Sequence, residues 1–133
     1  MEKYKIELTK EQLHIVMNCV EKVSRFNAGQ LEHIIEDINW YTDNVTNNRK
    51  EIEHNLFILK RNLFPELSNN ESYGVGKCDN KLGLLRQKQY EIYRELRYQL
   101  EVLNPVNDWN VYKSPSLKYT DESFPLVKLS TND

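Results

Sequence analysis

The chain is expected to fold as a mainly α protein, an antiparallel bundle of three to four helices with a small β element joining an N-terminal strand to the C-terminal tail. Three observations carry that expectation. Apolar residues recur at steps of three, four and seven over several long stretches, the spacing that puts them on one helical face. Glycine and proline number only four each among 133 residues, which leaves few internal helix breakers. Alternation of apolar and charged residues, the strand signature, is confined to Tyr4-Lys5-Ile6-Glu7-Leu8.

At Thr9 the alternation stops, and Gln12 three residues on completes a capping box in which the hydroxyl accepts an N–H left unpaired by the first helical turn. A helix is therefore predicted from Lys10, with Leu13, Val16, Met17, Val20 and Val23 as its apolar stripe. After Asn27-Ala28-Gly29 the same period resumes in Leu31, Ile34, Ile35 and Ile38, so Gly29 is either a kink in one helix or the join between two. Asp43 to Asn48 is polar and Asn-rich and reads as a linker. Ile52, Leu56, Leu59 and Leu63 mark the next helix, which Pro65 ends. Ser68-Asn69-Asn70 and Gly74-Val75-Gly76 make residues 65–78 a loop.

Asp79 or Asn80 then caps the longest helix, which Asn104-Pro105 closes. Leu82, Leu85, Ile92, Tyr93, Leu96, Leu100 and Leu103 are expected to face the core. Beside them Arg86, Tyr90, Arg94, Arg97 and Tyr98 form a ridge of alternating guanidinium and phenol groups. Arginine pairs bidentately with phosphate and stacks on rings, so the ridge suits a planar or anionic ligand. The competing reading is a solvated face whose charge Glu91, Glu95 and Glu101 balance. Residues 105–133 are expected to form an irregular tail, packing back on the bundle within a single domain spanning 1–133.

Composition narrows the function classes. A net charge of −2, from 18 basic and 20 acidic residues, lacks the broad positive field that duplex nucleic acid binding draws on. Two cysteines, Cys19 and Cys78, have no metal-ligand spacing and point to a reduced interior. No apolar stretch has the length of a signal peptide or a membrane span, so no membrane partner is expected and the compartment predicted is the cytoplasm. Glu11 with His14 and Glu51 with His54 have the Glu-x-x-His spacing of di-iron bundles, but the further glutamates such a site needs are missing, so no metal or other cofactor is predicted. Gly76-Lys77-Cys78 lacks both the upstream glycine and the Ser or Thr of a phosphate loop. No nucleophile elbow occurs, and catalysis is not expected.

Ser24, Arg25 and Gln30 flank Gly29, where a hydroxyl, a guanidinium and an amide can meet a polar ligand. Together with Tyr73, Arg86, Tyr90, Arg94 and Arg97 they make up the candidate ligand-binding set. In the scheme, the three ridge arginines hold phosphate and Tyr73 and Tyr90 stack on a base. Long amphipathic helices in a small chain also leave apolar surface to share, which predicts a homo-oligomer.

The succession Glu7-Leu8-Thr9-x-Glu11-Gln12, Ser24-Arg25 with Gly29-Gln30, Ser72-Tyr73-Gly74-Val75-Gly76, Tyr90-Glu91-Ile92-Tyr93-Arg94 and a Trp109-containing tail resembles a group of small accessory proteins of tailed bacteriophages. That resemblance implies action in the cytoplasm of a bacterial host. By analogy with phage proteins that counter host defence, it implies a non-enzymatic protein that sequesters a nucleotide-like small molecule, such as an immune second messenger. The alternative is an inhibitor or structural accessory that binds a host or phage protein through the same arginine and tyrosine groups.

Overall fold

The computed structural model describes residues 2–106 and 110–130 and is mainly helical. Helix α1 runs Lys10–Asn27, α2 Glu36–Tyr41, α3 Asn44–Asn47, α4 Arg49–Leu63 and α5 Lys81–Leu103, with 3-10 turns at Leu31–Ile35 and Asn110–Lys113. Two compact units can be distinguished: a terminal unit, Met1–Glu21 with Lys88–Asp133, and a central unit, Lys22–Gln87. Trp109 lies outside the described residues.

In the terminal unit the capping box forms as expected. The Gln12 N–H donates to Thr9 Oγ1 at 3.1 Å and the Thr9 N–H to Gln12 Oε1 at 2.9 Å, and α1 starts at Lys10. The small β element is corrected: among the described residues there is no strand, and Tyr4 to Leu8 has no regular secondary structure, is exposed and is paired by no ladder. The tail segment that was to pair with it has its backbone engaged elsewhere. Gln99 on α5 donates through Nε2 to the Pro125 carbonyl at 2.7 Å and accepts the Val127 N–H on Oε1 at 2.6 Å. A side-chain amide thus supplies the donor and the acceptor that a neighbouring strand would have offered.

In the central unit Gly29 is a join. The Gln30 N–H donates to the Arg25 carbonyl at 2.8 Å and the Gly29 N–H to the Phe26 carbonyl at 3.0 Å, the pair of bonds that defines a Schellman ending of α1. Gly29 takes φ +93°, a left-handed conformation natural to glycine, and a Cβ there would lie 2.7 Å from Leu67 Cδ1. After the join the chain tightens into the 3-10 turn, enters α2, and α3 adds one helical turn inside the stretch expected to be a linker. Leu31, Ala28, Val45 and Phe64 are the buried apolar residues of this unit.

The apolar face assigned to α5 also needs correction. Leu96 is buried, whereas Leu85, Ile92 and Leu103 are exposed. Buried in their place are Arg86, Gln87, Glu91, Glu95 and Glu101. Glu91, Glu95 and Glu101 are therefore not members of a solvated face. Besides the end of α1, α5 meets irregular chain, at Val75 and Lys77 in one unit and at Tyr119, Thr120 and Pro125 in the other, whose N–H and C=O groups have no ladder to join, so the helix meets them with polar side chains.

Candidate functional site

Five of the eight candidate residues lie in the central unit, and the ending of α1 explains why four of these come together. In a Schellman motif the residue after the left-handed glycine falls back over the last helical turn. Here that pair is Gln30 and Arg25, and Arg25 Nη1 donates to Gln30 Oε1 at 2.9 Å. Gln30 Nε2 donates in turn to Ser72 Oγ at 3.2 Å. Arg25 Nη1 also lies 3.4 Å from His33 Nε2, and His33 Nδ1 meets Glu36 Oε1. Ser24 is half-buried, one position before Arg25.

The loop closes on the same helix end. The Tyr73 N–H donates to the Ala28 carbonyl at 2.8 Å, and Arg86 Nη1 donates to the Asn27 carbonyl at 3.0 Å. Carbonyls 25 to 28, the orphans of a helix C-terminus, thereby all find donors. A cation there also complements the negative end of the helix dipole. The Arg86 guanidinium is 5% exposed, sits 4.6 Å over the Tyr73 ring, and reaches the Lys77 carbonyl at 3.4 Å. Its Nε has no hydrogen-bond partner. Tyr73 donates its phenol proton to Glu66, and that bond heads the causes that raise the phenol's pKa.

Two residues of this centre were not anticipated. Lys60 is buried and donates to the carbonyls of Asn69 at 3.1 Å and Glu71 at 2.5 Å. Its sequence signal was available, because it stands four residues after Leu56 on the buried stripe of α4. Gln87, which donates to the Val75 carbonyl at 3.1 Å, had no such signal.

Tyr90, Arg94 and Arg97 belong to the terminal unit. Arg94 folds back on its own helix, donating to the Tyr90 hydroxyl at 2.5 Å with its guanidinium 5.4 Å from that ring. Arg97 donates to Tyr93 Oη at 3.1 Å and lies 4.5 Å over the Tyr112 ring. Burial, with a hydrogen bond to Glu21, pushes the Tyr93 phenol up to about 12. Tyr90 meets Tyr119 edge to face at 5.9 Å.

The same unit holds a clasp that spacing did not reveal. Glu91, 2% exposed, accepts the N–H groups of Tyr119 at 2.5 Å and Thr120 at 2.9 Å and the Thr120 hydroxyl at 2.6 Å. Burial raises its pKa, and the Thr120 and Tyr119 hydrogen bonds outweigh burial to leave it lowered. Glu95, one turn later and also buried, has its pKa raised by burial, and its Oε2 has no hydrogen-bond partner.

Glu11, His14, Glu51 and His54 are all exposed, and among the described residues no three His, Cys, Asp or Glu side chains gather as a metal site. Cys19 and Cys78 are free thiols at the surface. No helix among the described residues is long and apolar enough to cross a membrane. Comparison with protein-family profiles, with curated proteins and with solved structures returned no match.

Proposed function

We propose that this chain is a non-enzymatic binding protein that sequesters a nucleotide-like anion, with its site at the end of α1 in the central unit. The carrying observation is that three segments far apart in sequence, 24–30, 72–73 and 86, supply a guanidinium, an amide, a hydroxyl and a ring to one polar cluster. Arg25 offers the cation for phosphate, Ser24, Gln30 and Ser72 the polar edges, and Tyr73 the stacking face. Arg86 acts by holding Tyr73 and the helix end in place, because its Nη donors are directed at backbone carbonyls. Tyr90, Arg94 and Arg97 are left outside the proposed site, since their groups are taken up by contacts within the terminal unit. In keeping with the phage resemblance, the setting is the cytoplasm of an infected bacterium. An antiparallel arrangement of the longer helices remains part of the expectation.

The experiment is native mass spectrometry and solvent extraction of protein purified from bacteria, followed by calorimetry with cyclic dinucleotides and adenine nucleotides as probes. A retained nucleotide, lost in Arg25→Ala and released unaltered, is the expected result. Protein that holds no nucleotide and binds none of the probes at millimolar concentration sinks the reading, and turnover of a probe shows an enzyme instead.

A second reading, an inhibitor or accessory that binds a host or phage protein, is favoured by the exposed aromatic pair Trp40 and Tyr41, with Trp40 82% exposed. Tryptophan and tyrosine concentrate in binding hot spots. A stoichiometric host or phage protein that co-purifies with the wild type and is lost in Trp40→Ala supports this reading.

A further inference from the structure

The central unit also carries a cleft, whose Glu36 and Glu32 are linked to the Arg25 cluster through His33, which bonds Glu36 and lies 3.7 Å from Glu32. Ile35, Val45 and Leu56 floor a cleft of 140 Å3, and Glu32, Glu36 and Glu53 stand at its edge. That volume is well below the ~300 Å3 at which small-molecule pockets begin, so the cleft has room for one side chain and not for a nucleotide. Its rim is acidic. Arg49 sits 3.6 Å from Glu53 and offsets one of the three carboxylates, while His33 bonds Glu36.

The chain also carries a segment with the complementary chemistry. Residues 2–8 are exposed at every position, with Tyr4 83% and Ile6 81% exposed. The Tyr4 hydroxyl bonds Glu2 at 2.9 Å, inside the segment itself. Lys3 and Lys5 stand on either side of Tyr4 in the chain, and their long flexible stems reach back past the backbone to the side on which Tyr4 points. Leaving two large, largely apolar side chains in water is unfavourable. An exposed arm of this kind, with unpaired backbone, is a means of joining chains.

We propose that the cleft receives Tyr4 from the arm of a second copy of this chain, with Lys3 and Lys5 meeting Glu32 and Glu53 on the rim. Seven extended residues reach about 23 Å, enough to bridge to a neighbour. Reciprocal exchange of arms between two copies gives a closed, two-fold dimer, the commonest symmetry of soluble oligomers. The apolar ring covers the floor and the lysines neutralise the rim. None of these residues belongs to the proposed anion site, so the two proposals stand or fall separately.

The test is sedimentation velocity and native mass spectrometry on the full chain, with retained nucleotide scored on the same samples. Wild type is expected as a dimer. Lys3→Glu with Lys5→Glu, and separately Tyr4→Ala, weaken dimerisation by at least about tenfold, since like charges facing one another across an interface are strongly unfavourable. The arm is exposed, so circular dichroism should be unchanged in these variants. Adding Glu32→Lys and Glu53→Lys to the arm reversal restores the dimer. A wild type that is monomeric at 100-fold above micromolar concentration, an oligomer indifferent to the arm substitutions, or a charge swap without rescue overturns the proposal, whatever the nucleotide result.

Discussion

The Arg86 junction of the central unit and the Glu91 clasp of the terminal unit solve one problem with opposite charges. In both, a buried charged side chain of α5 secures remote backbone, the end of α1 and a loop in one unit and the tail in the other. At the junction a cation donates hydrogen bonds to the carbonyls of Asn27 and Lys77; at the clasp an anion accepts them from the N–H groups of Tyr119 and Thr120. They differ in what surrounds them. The junction is reinforced by the Tyr73 to Ala28 backbone bond, by Gln87 on Val75 and by Lys60 on Asn69 and Glu71. The clasp holds a tail whose other ties are spaced along it, among them Glu101 on the Val106 N–H, Arg97 over the Tyr112 ring, Tyr90 against Tyr119, Gln99 on Pro125 and Val127, and the Lys88 to Glu122 ion pair at 3.5 Å. The comparison teaches that a charge on this helix is architectural when its partner is remote backbone, and dispensable when its partner is one turn away.

The largest effect is expected at Arg86. Arg86→Ala removes charge-assisted hydrogen bonds and a stacked ring contact, and it leaves the Asn27 carbonyl at the helix end without its donor. Together these are worth about 3 kcal/mol. Chemical denaturation should show that loss as a lower midpoint with an unchanged slope. A loss below about 1 kcal/mol would mean that the neighbouring bonds alone hold the junction, which would break the parallel with the clasp.

Next comes Glu91→Gln, which turns one acceptor of the clasp into a donor facing N–H groups and should cost about 2 kcal/mol. Because the tail's other ties are spaced along it, the change should be local, visible as faster hydrogen exchange at Tyr119, Thr120 and Val127 before the helices respond. The pH sign follows from the lowered pKa. A carboxyl whose folded value lies below its unfolded one, about 4.3 for glutamate, contributes stability that is present above that value. The contribution is lost as pH falls through the folded value. Wild type and Glu91→Gln should therefore converge in stability in acid, as pH falls below the ordinary carboxylate range and through the lowered folded value.

Glu95 sharpens the contrast, since it lies one turn away on the same helix and titrates the other way. Burial raises its pKa and the Gln99 hydrogen bond only partly opposes this. Its contribution is therefore present below the unfolded value of about 4.3 and is lost as pH rises through the raised folded value. Glu95→Gln keeps the shape and removes the buried charge, so it should raise the melting temperature at pH 7 and leave it unchanged at pH 4. A fall at pH 7 would place an ionised, paired carboxylate there and refute the assignment.

How much of this was legible in the sequence follows the same division. Helix starts and stops are written in neighbouring residues, so Thr9 with Gln12 placed the start of α1, Pro65 the stop after α4, and Asp79 or Asn80 the start of α5, where the structure shows Asn80 Oδ1 accepting the Gly83 N–H at 2.9 Å. The pairing of Arg25 with Gln30 was legible because a Schellman turn is itself local. What could not be read was which side of α5 would be buried. Periodicity assumes that the other side of an interface is apolar, and Leu85, Ile92 and Leu103 satisfied that assumption in sequence alone. The burial of Arg86 depends on a carbonyl 59 residues away, and that of Glu91 on N–H groups 28 and 29 residues away. A chain in which irregular segments cover a helix reverses the usual pattern, and the number of unladdered residues after Asn104 was the one hint.

The smallest effect is expected at Arg94, where the partner is local. Its Nη1 bonds the Tyr90 hydroxyl one turn back on α5, the kind of i, i+4 contact worth about 0.2–0.5 kcal/mol. Arg94→Ala should therefore lower stability by less than about 1 kcal/mol, far below Arg86→Ala, although both replace an arginine on the same helix. Any nucleotide retained by the wild type should also stay bound, because the proposed site lies at the end of α1. Loss of that nucleotide with the melting temperature preserved would return Arg94 to the ligand and extend the site to the arginine and tyrosine ridge. Loss of both would make the Tyr90 contact part of the terminal unit's framework, and remote backbone would no longer distinguish the architectural arginine from the dispensable one.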